Sequence, residues 1–292
     1  MTLRTIGPNL TLSYSMKANF VNVLCSKILY ISSIVIVTGL GKMYIIEPKS
    51  KMMKYSMSLL KLCIGKTLGA ANLLTFQNQH DKEFFRSRNY ISKRTQTFVM
   101  NGSGVNTAYY KAKPITNYNT VLLIGRLIEA KGIREFCRAV AEIDQDNWRY
   151  QIVGWKETGS DAISPQEINH LSDGKVQYLG SSKDVRKLIY DSTFVILPAY
   201  REGLARSLLE GMACGRPILM ANAPGMSDLH DDKHSLLFLS QNHKSIKSTL
   251  IAIKKLSRSK IDLMGKYARK AVVEKYDAQA VAKTFVAEME RY

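Results

Sequence analysis

The sequence predicts an α/β fold built on parallel sheets with helices on both faces. Beyond residue 119, short apolar runs alternate with stretches of helical period, the pattern of successive strand–helix units. The run 194–197 is apolar throughout, as a strand buried on both faces must be, and a polar loop and a helical stretch over 204–214 lead into a second such run, 217–221. The polar segment 109–119, which holds Pro114, separates this regular half from the chain before it, and 292 residues suffice for two ordinary domains.

In chain order, residues 1–13 lack the charged start and long apolar core of a cleavable signal peptide. The window 20–40 is the most hydrophobic, but Asn22, Lys27, Ser32, Ser33 and Thr38 interrupt it. It reads as a helix over 18–29 followed by a buried strand over 33–37, rather than a membrane span. Residues 48–66 mix five lysines with Met52, Met53, Met57, Leu59, Leu60, Leu62 and Ile64. Such a helix either lies on anionic lipid or turns its Met/Leu side to a core and its lysines to water. Strands are expected over 71–76 and 96–100. After the linker come a strand over 120–124, a helix over 133–143, strands over 149–153 and 176–178, and a helix over 182–190. The tail, 245–292, is almost wholly helical in pattern.

The net charge of +18 is uneven: the first 112 residues hold 15 Lys/Arg against 3 Asp/Glu, the rest 27 against 21. A half so basic implies an anionic partner, whether membrane surface, nucleic acid or phosphorylated substrate. No arginine-rich run or stacking-aromatic motif supports nucleic acid. Cys25, Cys63, Cys137 and Cys214 are scattered, which signals neither a disulfide framework nor a zinc site and fits a reducing cytosol.

Two carboxylates mark the stretch 195–221: Glu202 in the loop before the helix and Glu210 eight residues on, slightly more than two turns, so that both project to nearly the same side. A helix N-terminus offers free N–H groups and a positive dipole end, a seat for a diphosphate. One carboxylate beside it can accept hydrogen bonds from sugar hydroxyls, and the second can reach a ribose diol. Gly215 and Pro217 end the helix.

The Glu202-x7-Glu210 pattern, with Gly203 and with Gly215, Arg216 and Pro217, resembles the donor-site signature of retaining family 4 glycosyltransferases of the GT-B fold. The segment 121–132, with Gly125, Arg126, Lys131 and Gly132, is similar to that family's Gly-Arg and Lys-Gly segment, and 76–78 and 101–105 resemble the close of its first domain. Residues 14–19 and 38–41 look like the branch that builds O-antigen, capsule or protein-linked glycans on a polyprenyl diphosphate. The resemblance implies two Rossmann-like domains facing a cleft: 1–112 on the acceptor side, 113–275 for the nucleotide sugar, and 276–292 as a helix returning to the first domain. A doubly wound half needs roughly 150 residues, so the resemblance implies an incomplete first domain, its opening strand and glycine-rich loop having no counterpart.

The resemblance also implies roles. Arg126 and Lys131 offset the diphosphate and Glu202 holds the donor sugar. Glu210, Gly203, Leu204 and Gly125 bind the rest of the donor, and Lys17, Asn19, Gly39 and Gly41 lie on the acceptor side. No metal and no cofactor are expected; a nucleotide sugar, UDP-linked above all, is substrate, with a polyprenyl-linked saccharide as acceptor. The expected place is the inner face of the cytoplasmic membrane, against anionic lipid and without nucleic acid. The other readings are an inert remnant that still binds nucleotide and a nucleotide-sugar 2-epimerase. Asp144 and Asp146 spell a metal-binding Asp-x-Asp but follow a helix, and His230 and His234 fall where the resembled family has a surface loop; neither pair is expected to hold a metal.

Overall fold

The computed structural model describes residues 3–39, 50–144 and 147–292. The chain divides into two compact units: one runs to Ser103 and takes in Ala280–Tyr292, the other is Gly104–Gln279. The divisions thus fall at 103/104 and 279/280, against the expected 112/113 and 275/276.

The first unit contains α1 (Leu3–Ile6), β1 (Leu10–Tyr14), α2 (Met16–Leu29), β2 (Ser32–Val37), α3 (Lys51–Leu68), β3 (Leu73–Phe76), α4 (Gln79–Ser87) and β4 (Thr97–Val99). The strands pair in parallel in the order β1-β2-β3-β4. The alternation of a strand sorts its residues between two layers. Val35, Val37, Leu74 and Phe76 pack with Val23, Leu68 and Phe85 from the helices. Ile34 and Leu73 meet Phe285 on α11 (Ala278–Met289). Burying each such side chain contributes about 1.5–3 kcal/mol relative to exposure. The strand β1 was not anticipated, because its inward residues, Thr11 and Ser13, are polar. They are held by Ser26, at 2.8 Å from Thr11 Oγ1, and by Asn22 Nδ2, which donates to Ser13 Oγ at 3.0 Å. No described helix is long and apolar enough to cross a membrane.

The second unit is the regular half. It comprises β5 (Thr120–Ile124), α5 (Ile133–Ala141), β6 (Arg149–Val153), α6 (Pro165–Leu171), β7 (Val176–Tyr178), α7 (Arg186–Tyr190), β8 (Phe194–Leu197), α8 (Arg206–Ala213), β9 (Ile218–Asn222) and β10 (Ser235–Leu239). Then follow α9 (His243–Lys254) and α10 (Arg258–Lys275). All six strands are parallel, in the order β10-β9-β8-β5-β6-β7. The central strands are apolar at consecutive positions because helices cover both faces: Val121–Leu123, Phe194–Leu197 and 218–221 are fully buried. Helix α6 had a legible start that the sequence reading passed over: Ser164 caps the Glu167 N–H at 3.0 Å and Pro165 opens the first turn.

Arg216, expected from the resemblance as part of the donor-site signature, is fully buried. Its guanidinium donates to the carbonyls of Lys113, Pro114, Ile189, Tyr190, Ser192 and Cys214 at 2.6–3.3 Å. It thereby knots the linker to the turn before β8 and the end of α8, although burial disfavours its charged form.

Candidate active site

The carboxyl ends of β5, β6 and β8 meet at a cleft of ≈ 530 Å³, where open parallel sheets bind ligands. Glycines set its floor. A Cβ on Gly154, after β6, would stand 1.7 Å from the Gly125 carbonyl oxygen, so only glycine lets these strand ends approach so closely. Beyond β5 the chain makes a short turn over Glu129–Lys131 and enters α5 through Gly132, whose φ is 69°. A Cβ there would lie 2.0 Å from the Pro198 carbonyl oxygen. This approach to the end of β8 brings Lys131 against Glu202, 71 positions later, and the two form an ion pair in which each is about one-fifth exposed.

Helix α8 begins at Arg206, two residues later than its period suggested, and Glu202 lies in the loop before it, as expected. Both carboxylates line the cleft, because the loop returns: the Glu202 N–H donates to the Pro224 carbonyl at 3.1 Å. Ala205 supplies no side-chain cap to α8, which leaves the first N–H groups of the helix to a ligand. Glu210 is buried; it accepts a hydrogen bond from Arg206 Nε at 3.0 Å and another from the Tyr110 hydroxyl. Burial first, opposed by these partners, holds its carboxyl above the usual carboxylate range. Tyr110 is pushed up as well, by burial and then by the Glu210 charge. Arg126, Lys131, Lys183 and Arg206 face Glu202 and Glu210, four cations to two carboxylates, which suits a ligand carrying about two negative charges. A second hollow of ≈ 490 Å³, lined by Pro114, Ile115, Gly215 and Lys266, has no strand end reaching into it.

Residues 118–259 match the family described as "Glycosyl transferases group 1". This half of the chain is a glycosyltransferase group 1 domain. Over 268 residues the chain is 25% identical to the N,N'-diacetylbacillosaminyl-diphospho-undecaprenol alpha-1,3-N-acetylgalactosaminyltransferase of Campylobacter jejuni, covering 86% of this chain and 68% of that protein. Among solved structures, sucrose-phosphate synthase from Thermosynechococcus elongatus superposes with a TM-score of 0.83 at 18% identity, over 99% of this chain and 75% of the other. Anabaena HepE in complex with UDP and glucose superposes with a TM-score of 0.82 at 17% identity, over 99% and 80%. These likenesses show the GT-B fold that the sequence predicted.

Within the glycosyltransferase domain the cleft gathers Gly125, Arg126, Lys131, Glu202, Leu204 and Glu210 from the residues named beforehand; Gly203 is buried beside it and does not line it. Arg126 is ion-paired with Glu157 at 3.2 Å and well exposed. Tyr110, Trp155, Lys183 and Arg206 line the cleft and were not named. Arg206 was legible, four residues before Glu210 on a helix; the others come from distant segments. The acceptor-side residues belong to the first unit. Lys17 is exposed at the start of α2, and Gly39 follows β2 with φ 144°. Asn19 is wholly buried, where Nδ2 donates to the Ile36 carbonyl at 2.8 Å. Gly41 and Asp146 lie outside the described residues. His230 bonds Ser235 Oγ at 2.8 Å, and among the described residues no group of three or more His, Cys, Asp or Glu could hold a metal.

Proposed function

We propose that this protein is a retaining glycosyltransferase that moves a hexose or N-acetylhexosamine from a UDP-linked donor to a polyprenyl-diphosphate-linked saccharide. The observation that carries the reading is the convergence of four cations and two carboxylates on the uncapped N-terminus of α8. The diphosphate sits between that helix end and Arg126 and Lys131, Glu210 takes the ribose hydroxyls, and Glu202 exchanges its pairing with Lys131 for the hydroxyls of the donor sugar. The four cations offset the diphosphate without a metal. The acceptor oxygen bonds the anomeric carbon as the bond from that carbon to the phosphate oxygen breaks; UDP leaves, and its phosphate takes the acceptor's proton on the same face.

The acceptor follows from the Campylobacter relative, which acts on an undecaprenol-linked sugar by name, and from the basic first unit. Helix α3 exposes Met52 (82%), Tyr55 (77%) and Leu59 (62%) along one side, at i, i+3 and i+7. It carries Lys51, Lys54, Lys61 and Lys66 and no acidic residue. In this reading the helix lies on anionic lipid at the inner face of the cytoplasmic membrane.

The test is UDP release from a panel of UDP-sugars with a polyprenyl-diphosphate-saccharide acceptor, for the native chain and Glu202→Ala. Acceptor-dependent release that falls by about 10²-fold or more in the variant is expected. UDP binding without release from any donor in the panel would leave a nucleotide-binding remnant. Acceptor-independent release would point to an epimerase.

A further inference from the structure

The cleft holds one aromatic face that the proposed reaction leaves without a task. Trp155 follows Gly154 at the end of β6, lines the cleft and is 53% exposed. Its backbone is fixed on three sides. The Tyr178 hydroxyl donates to the Gly154 carbonyl at 2.8 Å, the Gly154 N–H to the Gly180 carbonyl at 2.9 Å, and the Leu127 N–H to the carbonyl of Trp155 itself at 2.9 Å. Among the described residues the indole stacks on no other ring and its side chain makes no hydrogen bond. A large ring held open to water on a rigid strand end is a surface that a flat ligand can cover with gain.

The strand order decides which part of the ligand that is. Glu202 follows β8, Arg126 and Lys131 follow β5, Trp155 follows β6, and Ser182 and Lys183 follow β7, with the strands adjacent in the sequence β8-β5-β6-β7. In a nucleotide sugar the diphosphate lies between sugar and base. With the phosphates at the β5 cations and the sugar beside Glu202 on the β8 side, the base falls on the β6–β7 side. Trp155 is the aromatic ring lining that side, with Val185 adding apolar surface and Ser182 and Lys183 adding donors. Tyr110, the other aromatic residue of the lining, is engaged by Glu210.

We propose that Trp155 is the stacking platform for the nucleobase of the donor, an inference that rests on the donor being a nucleotide sugar. Base–aromatic stacking needs only a π-face, so the ring raises affinity and positions the base, while the neighbouring polar groups choose among bases.

The chain has two tryptophans, and Trp148 stacks on Phe194 with ring centroids 6.5 Å apart, so ligand-dependent fluorescence separates them. The experiment titrates the full chain with UDP, uridine and inorganic pyrophosphate, by fluorescence and calorimetry, in the native protein, Trp155→Ala and Trp155→Phe. UDP and uridine should change the emission and pyrophosphate should not. Trp155→Ala should weaken UDP about ten- to hundred-fold, leave pyrophosphate within two-fold and keep the native unfolding temperature, while Trp155→Phe should recover most of the UDP affinity. Undiminished UDP binding by Trp155→Ala overturns the proposal, and a raised KM for the saccharide acceptor in that variant would reassign the ring to the acceptor. A native protein that binds UDP no better than pyrophosphate overturns the nucleotide reading itself, and this inference with it.

Discussion

The two units solve different physical problems. In the second, one continuous core runs from Val105 to Tyr276, and even the buried Arg216 has its donors taken by carbonyls. In the first, the core is smaller and the edge strand β1 turns Thr11 and Ser13 inward while Leu12 and Tyr14 face water. Helices α2 and α3 likewise expose Val21, Leu24, Ile28, Met52, Tyr55 and Leu59. On the function proposed above, the contrast is a division of labour. Recognition of a small charged ligand requires side chains held in place before it arrives, which a dense core provides. Engagement of a lipid-borne acceptor requires apolar surface left uncovered beside positive charge.

Three changes would break or sharpen that contrast, in order of size. Arg216→Ala leaves up to six buried carbonyls without their donor and should cost about 3–5 kcal/mol of stability by urea unfolding, with nucleotide affinity lost alongside. A cost below about 1 kcal/mol would show that the second unit does not depend on its buried knot. Replacing Lys51 and Lys54 together by Gln should weaken binding to phosphatidylglycerol vesicles by about 2 kcal/mol at low salt, roughly thirty-fold, and leave UDP affinity unchanged. Equal binding of variant and native chain, or binding insensitive to salt, would remove the lipid role of α3. The smallest effect concerns Glu210. Burial raises its carboxyl above the unfolded value, so within that window the native state keeps a proton that the unfolded chain has lost, and stability falls as pH rises. Glu210→Gln should flatten that acid-side slope and raise stability at neutral pH while weakening UDP binding. A pH–stability profile unchanged by the substitution would show that the native site carries the charge at no cost.

Much of the second unit was legible because its information is local. The strands β5, β8 and β9 carry unbroken apolar runs, and the alternation with helices follows from covering a parallel sheet on both faces. Glu202 and Glu210 stood out by their spacing after a buried strand, and Arg126 and Lys131 through the family resemblance. The first unit was less legible where its pattern inverts: β1 buries hydroxyls, so a reading that places apolar residues inside misses it.

By itself the sequence determined the class of fold and the charge asymmetry between the halves, which depend on composition and on periods of two and 3.6 residues, while the family resemblance marked the residues proposed to carry the donor chemistry. Only the tertiary structure decided which of those residues meet. The pairing of Lys131 with Glu202 depends on Gly132 lying against Pro198, the seat of Glu210 on Tyr110 about a hundred positions before it, and the exposure of Trp155 on a backbone pinned from β7 and the loop after β5. Such contacts join segments whose separation along the chain leaves no periodic trace, so they exist only once the sheet has set the order of its strands.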